Sequence, residues 1–100
     1  MAAAIGLATG AWATTVNLST LSGDKTLADG DVLTGTLSGY GYKVSIKDGA
    51  TVTLQNVNIA TNNIADQEYK WAGITCEGDA TIVLSGNNTV HGFVAVYPGI

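Results

Sequence analysis

The side chains able to do chemistry in this chain are few and scattered. Six aromatic residues follow position 13: Tyr40, Tyr42, Tyr69, Trp71, Phe93 and Tyr97. Exposed rings of this kind stack on the flat C–H faces of sugars, so rings sharing one face would make a binding strip. Tyr69 and Trp71 are two apart and share a face in an extended chain. Tyr40 and Tyr42 flank Gly41 in a turn-like stretch, which favours exposed rings. Two readings of Trp71 stay open, an exposed platform and a plug in the core. Phe93 reads as core.

The acids are Asp24, Asp29, Asp31, Asp48, Asp66, Glu68, Glu77 and Asp79. Calcium needs several converging oxygens. Asp29, Asp31 and Asp48 stand at equivalent turns, so stacking of those turns could gather them into a calcium site. The plainer reading is that they form turns. Hydrolysis of a glycosidic bond also uses paired carboxylates, but nothing here places one acid in an apolar pocket. Cys76 is the single cysteine and His91 the single histidine. An internal disulfide, a cysteine-rich zinc site and a His-pair metal site are thereby excluded. Cys76 falls on an apolar alternation and reads as a small buried hydrophobe. With no nucleophile beside a base, the chain is read as a non-enzyme.

Composition bounds the class. The 100 residues allow one domain. Apolar residues make up 46% and charged residues 12%, about half the usual charged share, so the chain is not of the disordered type. Arginine is absent, the four lysines are scattered, and the net charge is −4. Nucleic acid needs a cationic footprint, so it is discounted as a partner. Thirteen glycines and one proline, with frequent Thr, Val, Ile and Asn, favour strands and tight turns.

Residues 1–13 read MAAAIGLATGAWA. Ala11-Trp12-Ala13 has the small-x-small form of a signal-peptidase site, although the basic start of a signal peptide is missing. This predicts a truncated signal-like segment over 1–13, strands over 14–100, and a secreted or cell-surface location. The segment is too short to span a membrane. The alternative for 1–13 is an ordinary apolar first strand or a cloning remnant.

The strongest pattern is internal similarity. VSIKDGATVTL at 44–54 aligns without a gap on ITCEGDATIVL at 74–84, 30 positions later. A weaker unit, TLADGDV, occupies 26–32. Such recurrence is the mark of stacked strand-turn-strand repeats. Alternation then sets the faces. Val44, Ile46, Ala50, Val52 and Leu54 point in, while Ser45 points out. In the later unit Ile74, Cys76, Ala80, Ile82 and Leu84 point in. Between Leu33 and Gly39 two registers fit. Residues 61–70 break the pattern and read as a projecting loop or a short helical turn. Asn87 and Asn88 read as a ladder of turn residues. The uncapped end at 97–100 predicts a longer solenoid, or end-to-end self-association through unpaired strand edges.

These stretches, LTGTLSG at 33–39, VSIKDGATVTLQNVNI at 44–59, AGI at 72–74 and DATIVLSGNNTV at 79–90, resemble the bacterial carbohydrate-binding β-helix domains related in fold to pectate lyases. The resemblance covers about residues 26–100. It implies an all-β chain folded as a right-handed parallel β-helix, a β-solenoid of few coils. It also implies export, polysaccharide binding (acidic plant polysaccharides in the best-known case) and often calcium. Pectate lyases use an acidic calcium cluster with basic catalytic residues, usually an arginine, and this chain has none.

The sequence thus predicts non-catalytic polysaccharide binding through Tyr40, Tyr42, Tyr69 and Trp71. The alternative is a structural or adhesive surface solenoid without a small-ligand site. A third reading, ice binding through outward threonines, is weakened by Thr81-Ile82-Val83, which breaks the threonine ladder.

Overall fold

The computed structural model describes residues 14–37, 42–59, 71–92 and 97–100. Among these residues eight strands follow in order: β1 Thr15–Asn17, β2 Lys25–Leu27, β3 Val32–Thr36, β4 Val44–Ile46, β5 Thr51–Ile59, β6 Ile74–Cys76, β7 Thr81–Ser85 and β8 Thr89–Val90. The helical content of the described residues is one 3-10 turn, Leu18–Thr20. Asn17 starts that turn, its side-chain oxygen accepting from the Ser19 N–H at 2.9 Å.

The strands are short because turns interrupt them at close intervals. Asp29-Gly30 and Asp48-Gly49 each reverse the chain tightly. The Asp31 N–H reaches the Ala28 carbonyl at 3.1 Å, and the Ala50 N–H reaches the Lys47 carbonyl at 3.0 Å. Gly30 and Gly49 take φ of 91° and 82°, a left-handed conformation that only glycine adopts without strain.

Among the described residues all pairings are parallel. β1, β3, β5 and β7 lie side by side in one sheet, with β8 also on β5, and β2, β4 and β6 make a second. The two stretches aligned in sequence lie side by side: Val44 opposite Ile74, Ile46 opposite Cys76, and Thr51 to Gln55 opposite Thr81 to Ser85.

This architecture corrects the expectation of a right-handed parallel β-helix. The described residues form two parallel sheets and no solenoid. The mark of a solenoid is recurrence at a fixed period, and here the step between partners changes along the larger sheet. It is 17 residues from Thr15 to Val32, 21 from Val32 to Thr53 and 30 from Thr53 to Val83. The sequence similarity at a spacing of 30 captures one of these steps and not a period. The chain is strand-rich, but with strands mostly of two to five residues joined by turns and bends it fits the all-β class only loosely.

The core lies between the sheets. From the five-stranded sheet it takes Val16, Leu33, Val52, Leu54, Val57 and Ile59, with Leu18 and Leu37 beside the strands. Opposite stand Leu27, Val44, Ile46 and Ile74. Leu33 and Leu37 are both buried, which fixes the inward register over 33–37; residues 38 and 39 of the stretch left open lie outside the described residues. In β5 the inward set runs Val52, Leu54, then Val57, Ile59. The parity changes because Asn56 is an extra residue: Thr34 pairs Gln55, and Gly35 pairs Val57. Asn56 has φ 53°, a left-handed conformation that asparagine tolerates.

Four expected burials fail at one end of the molecule. Cys76 is exposed, Ala80 and Ile82 are half-buried, and Leu84 is 67% exposed. Alternation turns Leu84 to the same side as Leu54, but the described residues place no strand over β7 on the side away from β5. Face and burial part company where stacking stops. Ser45 departs the other way. It was expected outside, yet it is 6% exposed, on the central strand of the smaller sheet.

Candidate functional site

Of the four aromatic site residues, Tyr40 and Tyr69 lie outside the described residues, as do Phe93 and the segments 1–13 and 61–70. Tyr42 and Trp71 are described. Each is half-buried and packs one side against the core. Tyr42 stands two residues before β4, and Trp71 stands three before β6. β4 and β6 pair with Val44 opposite Ile74. Tyr42 and Trp71 thus stand just before two strands that pair with each other. Trp71 rests on the core and is half-buried, neither fully inside nor fully exposed.

The acids do a different job from the one a calcium site needs. Asp31 is buried, and its two oxygens accept from the Thr14 N–H at 3.2 Å and the Ala28 N–H at 2.8 Å. Asp29 accepts from the Thr51 N–H at 2.8 Å, on the neighbouring strand. Asp48 accepts from the Asp79 N–H at 2.8 Å, and Asp24 from the Lys43 N–H at 2.9 Å. Each of these carboxylates tethers its own turn or bridges to the next layer of chain, satisfying N–H groups that strand pairing leaves over at the turns. Among the described residues no three His, Cys, Asp or Glu side chains gather as a metal would need.

Asparagines bind the other end of the five-stranded sheet. Asn88 accepts from the Val57 N–H at 2.8 Å and donates to the carbonyls of Leu54 at 3.1 Å and Ser85 at 3.2 Å. Asn56 accepts from the Asn87 N–H at 3.1 Å. Asn87 thus joins this bracket through its backbone, and Asn56 and Asn88 through their side chains. Asn88 supplies the acceptor that the Val57 N–H needs beside the bulge. The bulge itself had no signal in the sequence beyond an asparagine within an apolar alternation.

One property of the larger sheet escaped the sequence reading. None of the residues in β1, β3, β5, β7 or β8 is charged. Its outward positions include the rows Thr34–Gln55–Ser85 and Thr36–Asn58–Thr89, which offer hydroxyls and amides one strand apart, whereas Thr53 lies between Val32 and Val83. The charges of the described residues sit at turns and on the smaller sheet's side. Cys76 and His91 are both exposed, and neither stands in a cluster of three metal-capable groups.

Among the described residues no helix is long and apolar enough to cross a membrane. Comparison with protein-family models, with curated proteins and with solved structures finds no match for this chain.

Proposed function

We propose that the protein is a non-catalytic polysaccharide-binding module, acting outside the cell or at its surface. The observation that carries this reading is the placement of Tyr42 and Trp71. They come from separate stretches of chain, stand two and three residues before the paired strands β4 and β6, and are each half-buried against the core. Rings backed by a packed core are rigid, so stacking a sugar on them orders little that was loose.

Charge narrows the ligand to a neutral polysaccharide. The net charge of −4 and the absence of arginine disfavour a polyanionic glycan. The uncharged hydroxyl and amide rows suit the hydroxyls of a neutral one. This departs from the acidic polysaccharides that the family resemblance implies.

The test is binding of the full chain to a panel of neutral and acidic polysaccharides, with calcium and with chelator. Binding to neutral members that survives chelation is the expected result, because the turn carboxylates already accept backbone N–H groups. Binding lost with chelator would place a metal in the site and overturn this assignment of the acids.

A further inference from the structure

Of the six aspartates, Asp29 and Asp48 alone precede a glycine, and no asparagine does. An Asp-Gly pair is open to a reaction within the chain. Glycine has no side chain to keep its own amide nitrogen away from the aspartate carboxyl carbon. In an unfolded chain that nitrogen can attack the Cγ and close a five-membered ring.

In the fold both pairs are gripped in the same way. The Gly30 N–H donates to the Thr51 carbonyl at 2.8 Å, and the Thr51 N–H donates back to the Asp29 carboxylate at 2.8 Å. The Gly49 N–H donates to the Asp79 carbonyl at 2.6 Å, and the Asp79 N–H donates back to the Asp48 carboxylate at 2.8 Å. Each pair thus makes two bonds to a single residue of the neighbouring layer of chain. One bond occupies the amide that would attack. The other holds the carboxylate that would be attacked. Burial gives no protection of its own, since Asp29, Asp48 and Gly49 are all exposed. What keeps the reacting groups apart is the two-bond clamp.

We infer that Asp29-Gly30 and Asp48-Gly49 are modification sites of this protein, at which aspartate converts to isoaspartate, and that each is held shut by its clamp. The glycine nitrogen bonds to the aspartate Cγ. Its proton and a carboxyl oxygen leave as water, and a succinimide forms. Water then adds at either ring carbonyl. Cleavage of the bond from Cγ to nitrogen restores aspartate. Cleavage of the bond from the backbone carbonyl carbon leaves the main chain running through Cβ and Cγ, with a free carboxylate on Cα. One water is lost and one gained, so the net change is an isomerisation that needs no other reactant. The product carries one extra backbone atom in the turn, and its carboxylate has moved, so the clamp cannot re-form as it was. The inference is independent of the glycan reading.

Ageing the full chain at neutral pH tests it, in buffer and in enough urea to abolish the strand signal in circular dichroism. An isoaspartyl methyltransferase with a labelled methyl donor counts the product, and peptide mapping locates it. In urea both sites should convert at similar rates. In buffer attack must wait for the turn to open, so conversion at both should be about a hundredfold slower. Thr51→Pro removes the N–H that Asp29 accepts, and Asp79→Pro removes the one that Asp48 accepts. Each folded variant should convert severalfold faster at its own site and unchanged at the other. If one proline variant loses its strand signal, the other carries the comparison. If both do, the ratio between urea and buffer in the wild type decides. Native rates within about threefold of those in urea would overturn the inference, since local opening would then cost almost nothing. So would a folded variant whose released site converts no faster than in the wild type, or product that maps to neither Asp29 nor Asp48.

Discussion

Asp31 shows how a residue legible by type can be illegible by role. The sequence places it at an Asp-Gly turn, where three acids could be imagined converging on calcium. Spacing along the chain cannot say which N–H a carboxylate meets. In the fold both oxygens of Asp31 are taken by the Thr14 and Ala28 N–H groups, and the residue is 6% exposed. Asp31→Ala leaves those donors short of partners and should destabilise the protein by about 2–4 kcal/mol, read as a lower denaturant midpoint. Asp48→Ala removes one exposed bond, to the Asp79 N–H, and should cost about 1 kcal/mol or less. Equal costs at the two positions would argue against this division of labour. Cys76 teaches the complementary lesson. Alternation gave its face correctly opposite Ile46, yet burial depends on what lies over the strand, and that is not written in the strand itself.

At the scale of the element, the inward set in 44–54 was legible because both the turn and the strands on either side follow simple rules, although Ser45, expected outward, is buried as well. The inward set Val44, Ile46, Ala50, Val52 and Leu54 is buried throughout. The run beyond it was not legible, because one inserted residue flips the parity. Asn56 is that residue. It stands over Gly86, which has φ 73°, and a Cβ on Gly86 would meet the Asn56 side-chain oxygen. Gly86→Ala should therefore destabilise by about 1–3 kcal/mol, from backbone strain and from displacing Asn56. Asn56→Gly keeps the left-handed backbone and loses only the bond to the Asn87 N–H, so it should cost less than Gly86→Ala. Thermal unfolding of the two variants side by side checks the order, and the reverse order would contradict the account of the bulge.

For the whole molecule, the strand-rich class and the lateral match of 44–54 with 74–84 were within reach of the sequence. The overall architecture was not. A similarity at one spacing invites extrapolation to a period, whereas successive partners stand 17, 21 and 30 residues apart. The site was half legible. Aromatic type and turn context picked out Tyr42 and Trp71, but their packing against the core and their place before two paired strands emerge only in the fold. The lack of charge on the larger sheet became visible only once its strands were assembled. Neutral glycans should accordingly bind more tightly than acidic ones at low ionic strength, and added salt should narrow the gap as it screens repulsion of the acidic ones. The most direct measurement is the affinity of the full chain, Tyr42→Ala and Trp71→Ala for a neutral polysaccharide, with circular dichroism confirming that each variant is folded. The account predicts binding by the wild type and a loss of about tenfold or more in each folded variant, from a stacking contribution of about 1.5 kcal/mol. Unchanged affinity in both folded variants, or no glycan bound by the wild type, would contradict it.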